Sequence, residues 1–351
     1  MIGEHMRQRI FTLRQIIETG RAELEAAGIE EAALDAWYLL EYTAGISRAA
    51  YFGKPDRILE APLAEQYLHY IGMRKKRIPL QHITGEQEFM GYPFYVNEHV
   101  LIPRQDTETL VEEAVKLIRA KLRGNERGAE ESGRDADNIA GIGCEEERKV
   151  KVLDMCTGSG CILLSIMKLC PQLEGTGCDI SGEALAVARK NAERLEVDAK
   201  WIESDLFDRL SDDGMHADGF RIHLEQIRAC DETGRSDRPC YDMIVSNPPY
   251  IRTAEIEILQ DEVRLHDPRI ALDGREDGLY FYRRIVKDSI SFIKDGGSLI
   301  FEIGWDQGKD VAELMTEHGY ENVTIKKDLS GLDRVAAGVY NRKSVCGSGF
   351  L

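Results

Sequence analysis

The chain has 351 residues, of which 30% are charged and 43% hydrophobic, and its formal net charge is −17. This composition is typical of a folded globular protein, and no apolar run is long enough to cross a bilayer. The acidic charge repels phosphate, so it disfavours direct nucleic-acid binding, and we interpret the one basic cluster, Arg74-Lys75-Lys76-Arg77, as a solvated helix end. The N-terminus lacks the apolar segment of a secretory signal, and the cysteines form no metal-binding or disulfide pattern, so we expect a cytoplasmic protein.

Three regions differ in their residue pattern. Apolar residues at helical spacing predict a small bundle of four or five helices over residues 1–78. A β-hairpin linker is expected at 79–103, where aromatic and β-branched residues cluster. Alternating strands and helices over 104–343 predict a mostly parallel sheet with helices on both faces. Segments at about 124–149 and about 212–240 contain few large apolar residues and are interpreted as insertions.

A turn of small residues connects the first predicted strand of the sheet to its helix. Small residues allow a backbone to approach a ligand closely and to direct amide groups at it. The turn lacks the spacing of a dinucleotide fingerprint, although a dinucleotide site remains the alternative, and the chain has no P-loop lysine. The residues of this turn that are predicted to bind a ligand are Asp154, Cys156, Thr157, Gly158, Ser159 and Gly160.

Two further acidic residues follow the next two predicted strands. Asp179 is placed to accept hydrogen bonds from ribose hydroxyls. Asp205, with the adjacent backbone at Leu206, either meets an adenine amino group or caps the helix that follows. Ligands of open parallel sheets bind at the carboxyl ends of the strands, so these residues and the glycine turn are expected at one edge.

The sequence Asn247-Pro248-Pro249-Tyr250 follows the apolar strand Tyr241–Val245. Two prolines make the loop rigid and leave its carbonyl groups free to accept hydrogen bonds. A planar nitrogen could donate one hydrogen to the Asn247 side-chain oxygen and another to the Pro248 carbonyl, while Tyr250 stacks on its face. We therefore predict a site that presents an amide or amino nitrogen to a methyl donor. Asn247 is expected to contact both the methyl donor and the acceptor substrate, and Pro249 is expected to contact the acceptor substrate.

These motifs, with others, resemble the PrmC/HemK family of release factor glutamine methyltransferases. The match extends over most of the chain, and its segments near residues 79–108 are more specific than the Asn-Pro-Pro-Tyr loop. The matching segments are Pro79–Gly85, Phe89–Phe94, Leu101–Arg104, Asp106–Glu108, Asp154–Gly160, Asp179–Ser181, Ser204–Phe207, Ser246–Ile251, Asp277–Leu279 and Glu302–Gly304.

The resemblance implies a seven-stranded Rossmann-like methyltransferase domain that uses S-adenosylmethionine, preceded by a helical domain that recognises the substrate. It also implies methylation of the glutamine amide nitrogen (N5) in the Gly-Gly-Gln loop of class 1 peptide chain release factors. Two residues depart from the family pattern, because Cys156 replaces a frequent glycine and Gln105 a frequent proline. Both insertions are also longer than expected.

Other readings of the same motifs remain open. An amino-directed DNA or RNA methyltransferase would share both loops but needs a basic surface, and a degenerate binding module would show damaged motifs. A dehydrogenase is a more distant alternative. Four polar residues are expected either to line the pocket or to form structural ion pairs: Arg104, Glu108, Arg264 and Glu302.

Overall fold

The computed structural model describes residues 10–132, 149–210 and 240–343. They divide into two compact units, each described separately below. The first, here called the helical unit, contains the chain as far as Glu86 together with Val96–Glu98 and Ile258–Asp267. The second, the sheet unit, contains the rest. The short segment 258–267 therefore belongs with residues that are distant in the sequence, which its local pattern did not indicate.

The helical unit contains a bundle and a two-stranded sheet. The strands pair antiparallel with Phe11 opposite Leu59, and the hydroxyl of Thr12 caps the first helix by accepting the backbone N–H of Gln15. The helical N-terminal region predicted from apolar spacing is confirmed. Its elements are β1 (Phe11–Thr12), α1 (Leu13–Ala26), α2 (Ala32–Ala44), α3 (Arg48–Gly53), β2 (Ile58–Leu59), α4 (Ala61–Arg74) and α5 (Leu80–Thr84).

Arg74, at the end of α4, is buried rather than solvated, so the interpretation of the basic cluster as a solvated helix end was wrong for this residue. Its guanidinium donates to Asp35 at 2.7 Å and to Glu262 at 2.9 Å. Arg77 also contacts Glu262, at 3.3 Å. A buried guanidinium is tolerated where carboxylates compensate its charge, and these partners lie far away in the sequence.

The contact between α1 and α4 is too close for an added methyl group at Gly20. A Cβ there would collide with the Tyr67 hydroxyl, which donates to the Ala36 carbonyl and is fully buried. At Gly72, on α4, an added Cβ would meet no atom of the described residues within 4 Å. The two helical glycines therefore differ in the space around them.

Substituting alanine at these two glycines should give opposite results. Gly20→Ala should lower the free energy of unfolding by about 1–3 kcal/mol, since overpacking outweighs the gain in helix propensity. Gly72→Ala should leave it unchanged or raise it by up to about 1 kcal/mol. Urea unfolding of both variants checks this, and equal effects of the two substitutions would contradict the packing described.

The sheet unit alternates strands and helices, as the sequence predicted. Apolar residues on β5, β8 and the helix after β5 fill its core, because central parallel strands are covered on both faces. Its elements, with one short helix of the helical unit (α10), are β3 (Glu86–Phe89), β4 (Tyr92–Tyr95), α6 (Glu108–Ser132), β5 (Val150–Met155), α7 (Cys161–Leu169), β6 (Leu173–Asp179), α8 (Gly182–Leu195), β7 (Lys200–Glu203), β8 (Tyr241–Ser246), α9 (Thr253–Ile256), α10 (Asp261–His266), α11 (Arg269–Leu272), α12 (Tyr280–Ser289), β9 (Ile293–Glu302), α13 (Gly308–Glu317), β10 (Tyr320–Lys327) and β11 (Asp333–Tyr340).

The main sheet has seven strands in the order β10-β11-β9-β8-β5-β6-β7. Strand β11 runs antiparallel to both of its neighbours, and the pairs from β9 to β7 are parallel. The sheet reverses its order on either side of β5, which makes the end of β5 a switch point where ligands bind in such folds. The expected seven-stranded Rossmann-like architecture is confirmed.

Two details differ from the boundaries expected from the sequence. Helix α6 continues to Ser132, so the insertion expected from about residue 124 begins as helix. Once a helix is nucleated, each further residue adds one backbone hydrogen bond, so a helix can continue into a segment with few large apolar residues. The linker at 79–103 contains α5 before a short hairpin, 86–95. Residues 133–148 and 211–239, including nearly all of the second expected insertion, lie outside the described residues.

Among the described residues, none of the helices is long and apolar enough to cross a membrane.

Candidate active site

Strand register brings the predicted loops together at one edge of the sheet unit. Met155 on β5 lies opposite Cys178 on β6 and opposite Ser246 on β8. The residues that follow these three strands must therefore emerge side by side. They surround a cavity of about 200 Å³. The predicted site residues that line it are Cys156, Thr157, Gly158, Ser159, Asp179, Asp205, Leu206, Asn247 and Pro249.

The glycine turn after β5 has a backbone shape suited to holding a ligand. Cys156 has φ of 61° and Gly158 has φ of 55°, both in the left-handed region. The Gly158 N–H donates to the Asp179 carboxylate at 2.8 Å, and the Thr157 N–H donates to the Cys178 carbonyl at 3.0 Å. Apart from Gly158 itself and its two chain neighbours, no atom of the described residues lies within 4 Å of a Cβ added at Gly158. The turn is therefore fixed to β6 and leaves open space above Gly158.

Cys156 occupies a conformation that costs a non-glycine residue about 1 kcal/mol. The glycine that the resemblance leads us to expect here would avoid this cost, because Cys156 lies at a position where the backbone favours glycine. Cys156 is nevertheless accommodated as a free thiol at the cavity wall. Burial raises its pKa well above the ordinary value, which keeps the thiol protonated.

Asp154 does not line the cavity but holds the turn through a hydrogen bond to Thr157. Its side chain is fully buried and accepts the Thr157 hydroxyl at 2.6 Å. Burial raises the pKa of this carboxyl from its ordinary value to about 7, with a smaller contribution from the negative charge of Asp179. Burial also raises the pKa of Asp179, which lies at the cavity and accepts the Ser181 N–H at 3.0 Å.

Gly160, also predicted as a ligand residue, is the N-cap of α7 and does not line the cavity. A Cβ added there would lie 3.1 Å from Trp201 and 3.3 Å from Ala188. Asp205 lies at the cavity, and its carboxylate accepts Arg284 at 2.9 Å. Asp205 was expected either to meet an adenine amino group or to cap a helix. The ion pair with Arg284, which lies on α12, was not expected from the sequence.

The loop after β8 is anchored at both ends. The Ser246 hydroxyl donates to the Met155 carbonyl at 2.7 Å, which ties the start of the loop to β5. Asn247 and Pro249 line the cavity, Pro248 is buried beside them, and the Tyr250 hydroxyl donates to the buried Glu302 carboxylate at 3.1 Å. Burial raises the pKa of both Tyr250 and Glu302. Tyr250 thus lies behind the cavity lining.

Several cavity residues were not predicted from the sequence. Tyr280 and Phe281 reach the cavity from the start of α12, and the guanidinium groups of Arg275 and Arg284 each lie 5.9 Å from the centre of the Tyr280 ring. An aromatic pair at the start of a helix is a weak indication of a binding site in a sequence, because only the packing of that helix determines which of its faces meets the cavity. Ile270 and Ala271, on α11, also line it.

The four polar residues that were expected either to line the pocket or to form structural ion pairs lie in different places. Arg104 lines the cavity. Glu108 accepts the Met90 N–H at 2.6 Å, and Glu302 is buried under Tyr250. Arg264 belongs to the helical unit and pairs with Asp261 at 2.7 Å.

A seven-stranded sheet of this order, with a glycine turn, an acidic residue after the second strand and an Asn-Pro-Pro-Tyr loop around one cavity, defines an S-adenosylmethionine-dependent methyltransferase. Residues 15–85 match the family described as PrmC N-terminal domain, and residues 143–219 match the methyltransferase small domain. The first of these matches falls in the helical unit.

Three relatives share the name release factor glutamine methyltransferase. The protein from Geobacter sulfurreducens is 34% identical over 94% of this chain and 97% of its own length. The protein from Caulobacter vibrioides is 34% identical over 94% of this chain and 97% of its own length. The protein from Clostridium acetobutylicum is 34% identical over 87% of this chain and 90% of its own length. The chain belongs to the release factor glutamine methyltransferase family. The family, enzyme class and cofactor expected from the sequence are thereby confirmed.

The cavity suits the confirmed cofactor. S-adenosylmethionine carries ribose hydroxyls that need acceptors, and Asp179 presents a carboxylate at the cavity. The open space above Gly158 allows a ligand to approach the backbone, where a side chain would intrude. Leu206 and Ile180 contribute apolar surface to the cavity lining.

Filling the space above Gly158 should weaken cofactor binding selectively. Gly158→Ala adds a methyl group that meets no atom of the described residues but occupies the cavity turn, so we expect the Kd for S-adenosylmethionine to rise about tenfold or more. Gly296→Ala is the matched control, because Gly296 also has positive φ, 71°, and open space, but lies outside the cavity lining. Both variants should lose about 1 kcal/mol of stability. Calorimetric titration showing equal affinities for both variants would contradict the assignment.

The buried Asp154 carboxyl should make stability depend on pH. An unfolded aspartate has a pKa of about 3.9, whereas the folded group keeps its proton up to about pH 7 because burial raises its pKa. The unfolded state therefore releases this proton first, and stability falls as pH rises from about 4 to 7. Asp154→Asn keeps an acceptor for Thr157 but does not titrate. Between pH 5 and 7.5 the wild type should lose roughly 1–4 kcal/mol relative to this variant in urea unfolding; parallel pH profiles would contradict it.

Proposed function

We propose that this enzyme transfers the methyl group of S-adenosylmethionine to the side-chain amide nitrogen (N5) of the glutamine in the Gly-Gly-Gln loop of class 1 peptide chain release factors. The observation that carries the proposal is that Asn247, at the end of β8, lines the same cavity as the glycine turn after β5. Family membership supports the substrate. Because its substrates act in translation, we place the enzyme in the cytoplasm.

On the donor side, the proposed roles follow from the positions of the residues. Asp179 accepts hydrogen bonds from the ribose, and the turn from Cys156 to Ser159 surrounds the amino-acid portion. Leu206, together with the backbone at Asp205, borders the adenine. Asp154 and Gly160 act indirectly, by holding the turn in place. Once bound, S-adenosylmethionine supplies a methyl group that is already activated by its positive sulfur.

On the acceptor side, the chain must overcome the weak nucleophilicity of a carboxamide. The lone pair of an amide nitrogen is delocalised into its carbonyl group, so attack creates positive charge on the nitrogen. The Asn247 side-chain oxygen and the Pro248 carbonyl would accept the two N–H groups, orient the nitrogen and stabilise that charge. The alkylated nitrogen becomes strongly acidic, so the mechanism needs no dedicated base. Pro249 shapes the wall of the acceptor pocket, and Tyr250 maintains the position of the loop.

The charge of the chain supports a protein substrate over a nucleic acid. A net charge of −17 repels phosphate backbones at long range. Arginines do lie at the cavity, but Arg284 is paired with Asp205. A release factor loop presents a neutral glutamine to the cavity.

Asn247→Asp should abolish most of the activity while leaving donor binding largely intact. The variant keeps the size of the side chain but places a negative charge in the acceptor pocket, and we expect kcat to fall by about a hundredfold or more. Asn322→Asp is the control, since Asn322 is exposed on β10 and undergoes the same chemical change. Transfer assays with titration of the donor check this, and wild-type turnover by Asn247→Asp would refute the assignment.

The substrate is tested by transfer of labelled methyl from S-adenosylmethionine to a purified class 1 release factor and to its Gly-Gly-Gln Gln→Ala variant. We expect label on the wild-type factor alone. Label on both factors would place the acceptor elsewhere. Transfer to DNA or RNA without transfer to the factor would favour the amino-directed nucleic-acid methyltransferase.

A further inference from the structure

Two family-like segments, Asp277–Leu279 and Glu302–Gly304, supply neither the donor turn nor the acceptor loop. The structure places both against Tyr250, the last residue of the Asn-Pro-Pro-Tyr loop. Gln307, three residues beyond Gly304, connects them. The residue is 3% exposed and does not line the cavity.

The Gln307 carboxamide uses both of its ends. Its Nε2 donates to the Tyr250 carbonyl at 3.0 Å and to the Gly278 carbonyl at 3.3 Å. Its Oε1 accepts the Gly304 backbone N–H at 3.0 Å, and the Tyr282 hydroxyl lies 3.3 Å away. Because the Gly304 N–H can only donate and the Tyr250 carbonyl can only accept, the orientation of the amide is determined by its partners.

The contact between Gln307 and the loop is tightly packed. A Cβ added at Gly278 would lie 2.5 Å from Gln307 Nε2 and 2.5 Å from the Tyr250 carbonyl oxygen. A Cβ added at Gly274 would lie 2.7 Å from the Tyr250 Cα. The Gly274 N–H also donates to the Ile251 carbonyl at 2.8 Å. Gly278 therefore lets the loop backbone approach Gln307 closely, and Gly274 lets the backbone of Tyr250 pack against this segment.

We propose that Gln307 is a positioning residue for methyl transfer, which fixes the acceptor loop through the Tyr250 carbonyl. The inference rests on the proposed function of that loop. Two prolines make the loop stiff, but stiffness alone does not determine its place relative to the donor turn. Gln307 fixes that place from the N-cap position of α13, while Glu302 at the end of β9 holds the Tyr250 hydroxyl. The Pro248 carbonyl and the Asn247 side chain then meet the substrate amide at a constant position.

The test compares Gln307→Met with Ser289→Ala. Methionine keeps the length of the side chain and removes every hydrogen bond of the carboxamide. Ser289 is buried in the same unit and contacts the Tyr320 hydroxyl at 2.6 Å, away from the cavity, so its substitution costs a buried hydrogen bond without touching the loop. Donor Kd, kcat and KM for a release factor are measured for both variants and the wild type, with melting temperatures.

We expect Gln307→Met to lower kcat by about tenfold to a hundredfold, as small misplacement of reacting groups does, with the donor Kd changed less than about twofold. Ser289→Ala should keep wild-type kcat although its melting temperature also falls. Wild-type kcat in Gln307→Met, or kcat losses that follow melting temperature in both variants, would overturn the inference.

Gln307→Asn provides a second variant should methionine prevent folding. It keeps the carboxamide but is one methylene shorter, so it cannot reach the Gly304 N–H and the Tyr250 carbonyl together, and kcat should again fall with donor affinity retained. A Gln307→Asn enzyme with wild-type kcat would overturn the inference. If the wild type transfers nothing to release factors, the proposed function itself fails, which this comparison separates from failure of the Gln307 assignment.

Discussion

The parallel pairing of β5 with β6 on one side and with β8 on the other is the constraint on which the site depends. Met155 lies opposite Cys178 and opposite Ser246, so the three strands end at the same level. The glycine turn, Asp179 and the Asn-Pro-Pro-Tyr loop emerge there as neighbours without any further adjustment. A shift of one residue in either pairing would turn alternate side chains to the opposite face and separate the donor turn from the acceptor loop.

Several groups of the site adopt states that lower the free energy of unfolding. Asp154 and Glu302 are fully buried carboxyls with raised pKa values, and Cys156 adopts a left-handed backbone. Such costs persist where the surrounding structure compensates them. Here the compensation comes from apolar packing of β5 and β8 at the centre of the sheet, and from hydrogen bonds that connect each loop to a neighbouring strand. Preorganisation of the two loops follows from these connections.

The sequence predicted the features that depend on local pattern. Apolar runs that end at Asp154, Asp179 and Val245 located the strands and the site edge, since strand ends are marked by a change from apolar to polar residues. The cavity wall from α12 was not predicted, because Tyr280 meets the cavity through tertiary packing and not through its spacing. The position of Gln307 was missed for the same reason. The end of α6 at Ser132 differs from the expectation because a segment with few apolar residues predicts an insertion, although arginine, alanine and glutamate favour helix.

The central claim is that Asn247 and the Pro248 carbonyl hold the two N–H groups of a planar glutamine amide. A crystal structure of the enzyme with the demethylated cofactor and a peptide containing Gly-Gly-Gln tests it most directly. The account predicts the amide nitrogen within about 3 Å of the Asn247 side-chain oxygen and of the Pro248 carbonyl oxygen, with its face towards the cofactor sulfur. An amide bound elsewhere in the cavity, or with its nitrogen turned away from both oxygens, would contradict the account.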